Sequence, residues 1–428
     1  MERTHIKNLR PEQACKIQGF VEHIRDTRTM VFLVVRDATG RVQVTVDKRA
    51  RPEWNALLGE LSAESVVTVE GHAVENAAVK LGGMEVLPET IHAESLAAPL
   101  PLGRDSSIDV RLDYRWLGLR GEREQLLFRA QTLMTAAMRN FLLARGFVEI
   151  HTPKLIAAAS ESGADVFEVK YFERKAYLAQ SPQFYKQMAM AGGLERVFEV
   201  GPVFRAEKSY TSRHTTEFTG FDLEFSYIDS YEDVMRLEEE LLAHMLGEMK
   251  ARYGEEILRL YGIEVVVPEL PFPRMRLADL YEELEKRYGY AVPEEERGDM
   301  TTEAEQLGCR FAKEAFGHEF LFVTDFAAEK RAFYHMRKDG VPQGYDLVWR
   351  GVEVTTGAQR EHRFERLRRQ AEERGLGEDV KFYLEFFKYG CPPHGGFGLG
   401  VDRMTMLLLG VPIKEAMFLF RGPNRLTP

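Results

Sequence analysis

Four short stretches of this 428-residue chain carry residue types suited to a phosphorylated or carboxylate-bearing substrate. The first, Phe204-Arg205-Ala206-Glu207, opens a polar segment that closes on Arg213-His214-Thr215. A guanidinium is a planar fork that matches phosphate oxygens, so two arginines flanking one loop could clamp a phosphate chain. Two solvated surface arginines fit the same pattern. In the second, Glu353-Val354-Thr355-Thr356-Gly357-Ala358-Gln359-Arg360, Glu353 and Thr356 could offer oxygens to a hard cation such as Mg²⁺ beside phosphates. An acidic residue on a half-buried strand is the plainer alternative. The third runs Gly395-Gly396-Phe397-Gly398-Leu399-Gly400-Val401-Asp402-Arg403. Its glycines would let backbone approach a ligand, with Arg403 just inside a following helix. No Gly-Lys-Ser/Thr follows, which excludes a P-loop. No strand–turn–helix–strand unit surrounds it, which argues against a dinucleotide fingerprint. The fourth is Ser181-Pro182-Gln183-Phe184-Tyr185-Lys186. A cation early in a helix gains nothing from the macrodipole, so Lys186 invites a specific partner such as a ligand carboxylate, unless it is simply solvated.

These residues need elements to hold them. Residues 31–35 are apolar, 41–46 alternate as Arg-Val-Gln-Val-Thr-Val, and 37–40 (Asp-Ala-Thr-Gly) form a turn signal between them. With further strands at 66–71 and 84–87, the pattern predicts a small barrel over residues 1–98. The run 97–103 (AAPLPLG) breaks it and predicts a linker, extended here over 99–120. Leu126, Leu127, Ala130, Leu133, Met134, Ala137, Met138, Phe141 and Leu142 share a helical face, and Gly146 marks a stop. Beyond it, residues 147–151, 176–180, 197–205, 218–226 and 346–354 read as strands, 234–249 and 363–374 as helices. Strands not regularly separated by helices predict an α+β domain over 121–428, with a mostly antiparallel sheet flanked by helices. No internal repeat is present.

A hydrophobic content of 44% at this length supports a large core and two or three domains. Charged residues make up 29% without a low-complexity run, which excludes wholesale disorder. Cys15, Cys309 and Cys391 are widely spaced with no CxxC, which argues against zinc or a disulfide framework and fits a reducing cytoplasm. Glu2, Arg3 and Lys7 precede no apolar stretch, so no signal peptide is expected, and runs such as 404–409 are too short to cross a membrane. The net charge of −10 disfavours nucleic acid as a bulk partner, but residues 1–50 hold ten Lys/Arg against six Asp/Glu. A basic patch on an acidic protein can still serve RNA, or be an ordinary solvated face.

Taken in order, the motifs resemble those of class II aminoacyl-tRNA synthetases: FVEIHTPK (147–154, with its proline at Pro153) resembles motif 1, Phe204 to Glu207 motif 2, and Gly398 to Arg403 motif 3. More narrowly, YLAQSPQFYKQM, RHTTEF and the ending RLTP resemble the aspartyl-tRNA synthetase family of the short archaeal and eukaryotic-like type. The likeness covers essentially the whole chain and lacks the long bacterial insertion domain. It implies an OB-fold anticodon-binding barrel ahead of a class II catalytic domain, with ATP as substrate, Mg²⁺ as cofactor, L-aspartate and tRNA(Asp) as partners, and a homodimer formed through motif 1.

The resemblance also implies roles. Arg205 would bind the α-phosphate and the reacting carboxylate, stabilising charge in the transition state. Glu207 would read the adenine amino group, Arg213 and His214 would hold the outer phosphates, and Arg403 would lie near the γ-phosphate and adenine. Ala206, Thr215, Gly400, Val401 and Asp402 complete the ATP site. Glu353 and Thr356 would hold Mg²⁺. Glu161 would pair with the α-ammonium of aspartate and Gln183 would orient its backbone end. Lys186 and Arg360 would grip its side-chain carboxylate, with Phe184, Tyr185, Arg205 and Thr356 around it. Phe32 would stack on the central anticodon base while Gln43 and Glu85 hydrogen-bond its edge; by alternation alone Phe32 could equally be core.

Three places depart from the family pattern. Ser162-Gly163 stands for Gly-Gly, Gln-Phe-Tyr-Lys for Gln-Leu-Tyr-Lys, and Leu419-Phe420-Arg421-Gly422 for Phe-Pro-Arg-Asp. An asparaginyl enzyme of the same architecture is the runner-up, and Lys186 argues against it. A lysyl enzyme would want an acidic pocket. A non-catalytic paralogue would usually lose Arg205, Arg403, Glu353 or Thr356, and a free-standing asparagine synthetase would lack the barrel. The choice between tRNA(Asp) alone and tRNA(Asp) plus tRNA(Asn) maps to Glu22 and Lys80. Lys80 matches the strict pattern and Glu22 neither.

Overall fold

Alternating valines close the N-terminal strands into a barrel. The computed structural model describes residues 1–103, 105–157, 166–207 and 214–428, and divides into units Met1–Tyr114 and Arg115–Pro428. In the first unit, β1 (Gln13–Asp26), β2 (Met30–Arg36), β3 (Arg41–Asp47), β4 (Val66–Glu75) and β5 (Met84–Ser95) form a closed barrel in the order β1-β2-β3-β5-β4. Val31, Leu33, Val35, Val42, Val44 and Val46 all point inward and are buried. Period-two geometry therefore puts Phe32, Gln43 and Thr45 on the outer face. In the turn at 37–40, the Asp37 carboxylate accepts the N–H groups of Thr39 (2.7 Å) and Gly40 (3.0 Å). β1 was not among the predicted strands. Gly19 lets it coil tightly, since a Cβ there would lie 2.2 Å from the Arg36 carbonyl oxygen. The stretch 99–120, expected as a hinge or linker, carries helices Ile108–Asp113, capped by Ser107, and Arg115–Gly118.

The second unit is built on an eight-stranded sheet: β6 (Val148–Glu149), β7 (Arg196–Phe204), β8 (Glu217–Ser226), β9 (Arg274–Arg276), β10 (Phe320–Thr324), β11 (Gly344–Trp349), β12 (Val352–Gln359) and β13 (His394–Gly400). Their order is β9-β10-β11-β12-β13-β8-β7-β6, antiparallel except for the β6/β7 and β9/β10 pairs. The single strand expected over 346–354 is two strands joined at Arg350-Gly351. Both residues have positive φ (50° and 84°), the backbone of a tight hairpin, and an Arg-Gly pair is a weak signal for it. Helix α1 (Glu122–Leu143) buries the face its periodicity predicts, α2 (Gln183–Ala191) follows, and α3 (Tyr231–Tyr261) starts at a Ser230/Asp233 capping box and ends at Gly262. Helices α4 (Lys381–Lys388) and α5 (Val401–Leu409) complete the surroundings of the site.

One buried carboxyl ties α3 to the strands behind the site. Glu238 accepts from the Tyr345 hydroxyl (2.5 Å) and from Thr355, and no part of it reaches solvent. Burial pushes its carboxyl up to about 8, against the help of those two hydrogen bonds. Between the ordinary carboxyl range and pH 8 the folded chain thus holds a proton that the unfolded chain has released. Stability from this group is full at low pH and is lost as pH rises toward 8. Glu238→Gln should leave the melting temperature near pH 5 almost unchanged and flatten its fall toward pH 8; melting curves of both proteins across that range check this, and parallel pH profiles would contradict it.

Candidate active site

The cleft floor is one face of the central sheet. On β8, alternation brings Phe218, Gly220, Asp222 and Glu224 to the same side; on β13 it brings Gly396, Gly398 and Gly400. Register aligns Asp346, Thr356, Gly398 and Asp222 across four strands, and Gly396 beside Glu224 and Ala358 in the next row. The glycines make room first for the protein's own carboxylates: a Cβ on Gly398 would lie 2.8 Å from Asp222 Oδ1, and one on Gly396 2.6 Å from Glu224 Oε2. This qualifies the expectation that they admit a ligand alone.

Gln183, Arg205, Glu207, His214, Thr215, Glu353, Thr356, Arg360, Gly400, Asp402 and Arg403 all line this one cleft. Glu161 and Arg213, with Ser162-Gly163, lie outside the described residues. Arg205 follows β7, exposed, with its guanidinium 5.3 Å over the Phe218 ring. His214 Nε2 stands 4.0 Å from Glu207 Oε2. The Thr215 hydroxyl and the Thr216 N–H both donate to the Arg421 carbonyl (2.7 and 3.1 Å), so the atypical C-terminal segment braces this loop through backbone. Asp402 is an anchor: it accepts from the Thr219 N–H (2.8 Å) and Gln131 Nε2 (3.1 Å). Val401 is core at 1% exposure, and Ala206 is not among the lining residues.

The residues expected to hold the amino acid depart most from expectation. Lys186 is buried, and its three ammonium hydrogens have takers in Asp222 Oδ1 (3.0 Å), the Phe397 carbonyl (3.2 Å) and the Leu223 carbonyl (3.3 Å). Its partner is the protein's own carboxylate, and it does not line the cleft. Phe184 packs on Tyr383 (4.3 Å between ring centres) and Phe382 of α4, and Tyr185 also lies off the cleft. Helical spacing explains this: Gln183, Lys186 and Gln187 share the sheet-facing side of α2, and position 184 is rotated toward α4. Arg360 is buried and donates through Nε to Glu224 Oε1 (3.0 Å) and through Nη2 to the Gly396 carbonyl (2.8 Å). Its Nη1 has no partner among the described residues. Burial would raise the Glu224 carboxyl, but Arg360 and Lys186 outweigh it and hold it below the usual range.

Two residues that the sequence did not single out complete the other end. Asp346 is buried and takes both Arg331 Nη1 (2.7 Å) and the Thr356 hydroxyl (2.8 Å), while the same hydroxyl lies 3.1 Å from Glu353 Oε1. Burial raises the Asp346 carboxyl, Arg331 lowers it and nearby Glu353 adds to the rise, for a net shift upward. Arg331 Nη2 also donates to the second Asp346 oxygen (2.5 Å), so the oxygens that face the cleft and suit a hard cation are those of Glu353 and Thr356. Among the described residues no group of three His, Cys, Asp or Glu side chains is placed to hold a metal ion, so any cation would keep ligands from substrate or water. Arg403 donates to the Glu353 carbonyl (2.8 Å), holding that strand against α5. Phe218 supplies the cleft with an aromatic face; alternation from Asp222 would have found it.

In the first unit, Phe32 lies half-buried on the outer barrel face with the Arg25 guanidinium 4.1 Å over its ring, which removes the core alternative. Glu85 is buried and accepts from Asn76 Nδ2 (2.7 Å), Gln43 Nε2 (3.1 Å) and Thr45. Burial would raise its carboxyl, but those donors prevail and lower it. Glu85 is therefore placed to orient the Gln43 amide rather than to reach outward itself. Glu22 sits at a bulge in β1 and accepts from Arg41 Nε (2.6 Å); Lys80 is exposed between β4 and β5.

Residues 107–421 match the family model "tRNA synthetases class II (D, K and N)", and residues 15–93 match the OB-fold nucleic acid binding domain. The chain belongs to the class II tRNA synthetases. Curated relatives that align over the full length include the "Aspartate--tRNA(Asp/Asn) ligase" of Methanopyrus kandleri, 44% identical, and the "Aspartate--tRNA(Asp) ligase" of Pyrococcus abyssi, 40% identical, each alignment covering all of both chains. Among solved structures, the asparaginyl-tRNA synthetase from Pyrococcus horikoshii complexed with asparaginyl-adenylate superposes with a TM-score of 0.92 at 30% identity, covering both chains fully. The aspartyl tRNA synthetase from Entamoeba histolytica gives 0.90 at 32%, covering 100% of this chain and 93% of that one.

Proposed function

We propose that the chain is an aspartate–tRNA ligase that joins L-aspartate to ATP as aspartyl-adenylate, releases pyrophosphate, and passes the aspartyl group to the 3′-terminal ribose of tRNA(Asp). One observation carries this reading: the cleft is continuous from the buried Arg360 guanidinium, whose Nη1 has no partner among the described residues, to Arg205 and on to Glu353, Thr356 and Arg403. A carboxylate is nucleophilic at neutral pH, so no general base is needed. The reaction asks chiefly for positioning and charge stabilisation. Arg360 holds the aspartate side chain and Gln183 its backbone end. Arg205 sits between substrate carboxylate and α-phosphate and neutralises the charge that builds as they join. Glu207 reads the base, while His214 and Arg403 hold the outer phosphates. Mg²⁺, held by Glu353 and Thr356, would neutralise phosphate charge when bound.

Three free cysteines suit a cytoplasmic protein, and no helix among the described residues is long and apolar enough to cross a membrane. A homodimer is supported by the exposed apolar side chains Leu143, Val148 and Leu155 around the edge strand β6. In the barrel, Phe32 stacks on an anticodon base whose edge meets Gln43, with Glu85 behind it. Phe32→Ala should cut charging of tRNA(Asp) by about five- to a hundredfold, the range for one stacked base, and leave pyrophosphate exchange intact; a parallel loss of both would contradict the anticodon role. Charging assays with purified tRNA(Asp) and tRNA(Asn) test the function itself. No aspartylation of tRNA(Asp) would refute it, and equal charging of both would make Glu22, not Lys80, the informative position.

A further inference from the structure

One buried side chain at the amino-acid end of the cleft has no role so far. His335 is 3% exposed, lines the cleft, and pairs across an antiparallel bridge with Arg360. Directly opposed residues of such a bridge project to the same side, so imidazole and guanidinium stand next to each other. The backbone is fixed: the His335 carbonyl accepts from Gln370 Nε2 (2.9 Å), which also holds the Phe333 carbonyl (2.5 Å). The ring lies against Gly344, where a Cβ would sit 3.1 Å from Nδ1.

Nδ1 is buried without a hydrogen-bond partner among the described residues, which leaves Nε2 as the nitrogen able to meet a ligand. A buried N–H with no acceptor costs more than a buried lone pair with no donor, so the proton belongs on Nε2. Burial, with Arg360, Arg331 and Arg337 nearby, holds the imidazole neutral. Around it, Lys186 and Arg360 already face Asp222 and Glu224, two cations against two carboxylates. Of these two cations, Lys186 has three hydrogen-bond acceptors and Arg360 keeps Nη1 without a partner among the described residues, so a third carboxylate, from substrate, finds one charged donor there and needs another.

We propose that His335 is a specificity-determining residue for the amino acid, donating from Nε2–H to the side-chain carboxylate of aspartate beside Arg360. Asparagine would turn its amide NH₂ toward one of two fixed donors, and a donor facing a donor is the repulsive element that discrimination needs. This rests on the aspartate reading above. The test is pyrophosphate exchange by the full chain and its His335→Leu and His335→Gln variants, with aspartate and ATP varied separately. His335→Leu should raise the KM for aspartate about ten- to a hundredfold, the range for a hydrogen bond to a charged group, with kcat and the KM for ATP little changed. His335→Gln, which keeps an N–H at the ε position, should recover most of the loss. An unchanged aspartate KM in His335→Leu, or an equal rise for ATP, would overturn the role and leave the aspartate reading standing. Absence of aspartate-dependent exchange in the unsubstituted chain would overturn both. Should the leucine variant not fold, ¹⁵N-histidine NMR of the unsubstituted chain decides, with His335→Gln assigning the signal: an Nε2–H tautomer that shifts on adding aspartate supports the role, and an Nδ1–H tautomer overturns it.

Discussion

Arg205→Ala is expected to reduce aspartate-dependent exchange of pyrophosphate into ATP by about 10²–10³-fold or more, the scale for losing a donor aimed at transition-state charge. The fold should tolerate it. Arg205 is exposed in the cleft, and its packing on Phe218 at 5.3 Å is a contact worth about 0.5–1 kcal/mol. An unchanged melting temperature with lost exchange would place the effect in chemistry; retained exchange would remove Arg205 from the reacting centre.

Lys186→Met should have two large effects, for a reason different from direct substrate contact. The ammonium neutralises Asp222 at 3.0 Å and Glu224 at 3.4 Å. Without it, two cations against two carboxylates become one against two, and the cleft floor turns negative where the proposed function puts the aspartate side chain. The KM for aspartate should rise far more than that for ATP. Breaking a buried pair also destabilises by roughly 3–5 kcal/mol, so the melting temperature should fall. Steady-state exchange and thermal melts together check this; an unchanged aspartate KM in a folded variant would contradict it.

What the sequence made legible was local. Barrel strands, the α1 face and the order of the arginine, glycine and acidic motifs depend on neighbours within a few positions, and periodicity reports them. Pairings set by strand register were not legible. Lys186 meets Asp222, 36 residues away, and the glycines of β13 prove to be spaces for Asp222 and Glu224. Asp346 joins Thr356 only because a hairpin at Arg350-Gly351 folds β11 onto β12. His335 looks like any histidine until its bridge to Arg360 sets it in the cleft. Phe184 and Tyr185, expected around the aspartate, do not line the cleft: a helix turns about 100° per residue, so sequence neighbours of Gln183 face elsewhere.

The choice of amino acid is the point on which the functional reading stands, more so because an asparaginyl enzyme shares the fold at a TM-score of 0.92. Pyrophosphate exchange measured side by side with L-aspartate and with L-asparagine decides it. A site built from Arg360 and its neighbours should favour aspartate by about 10⁴ in kcat/KM, because the amide leaves buried donors unpaired. Equal or faster exchange with asparagine would contradict it.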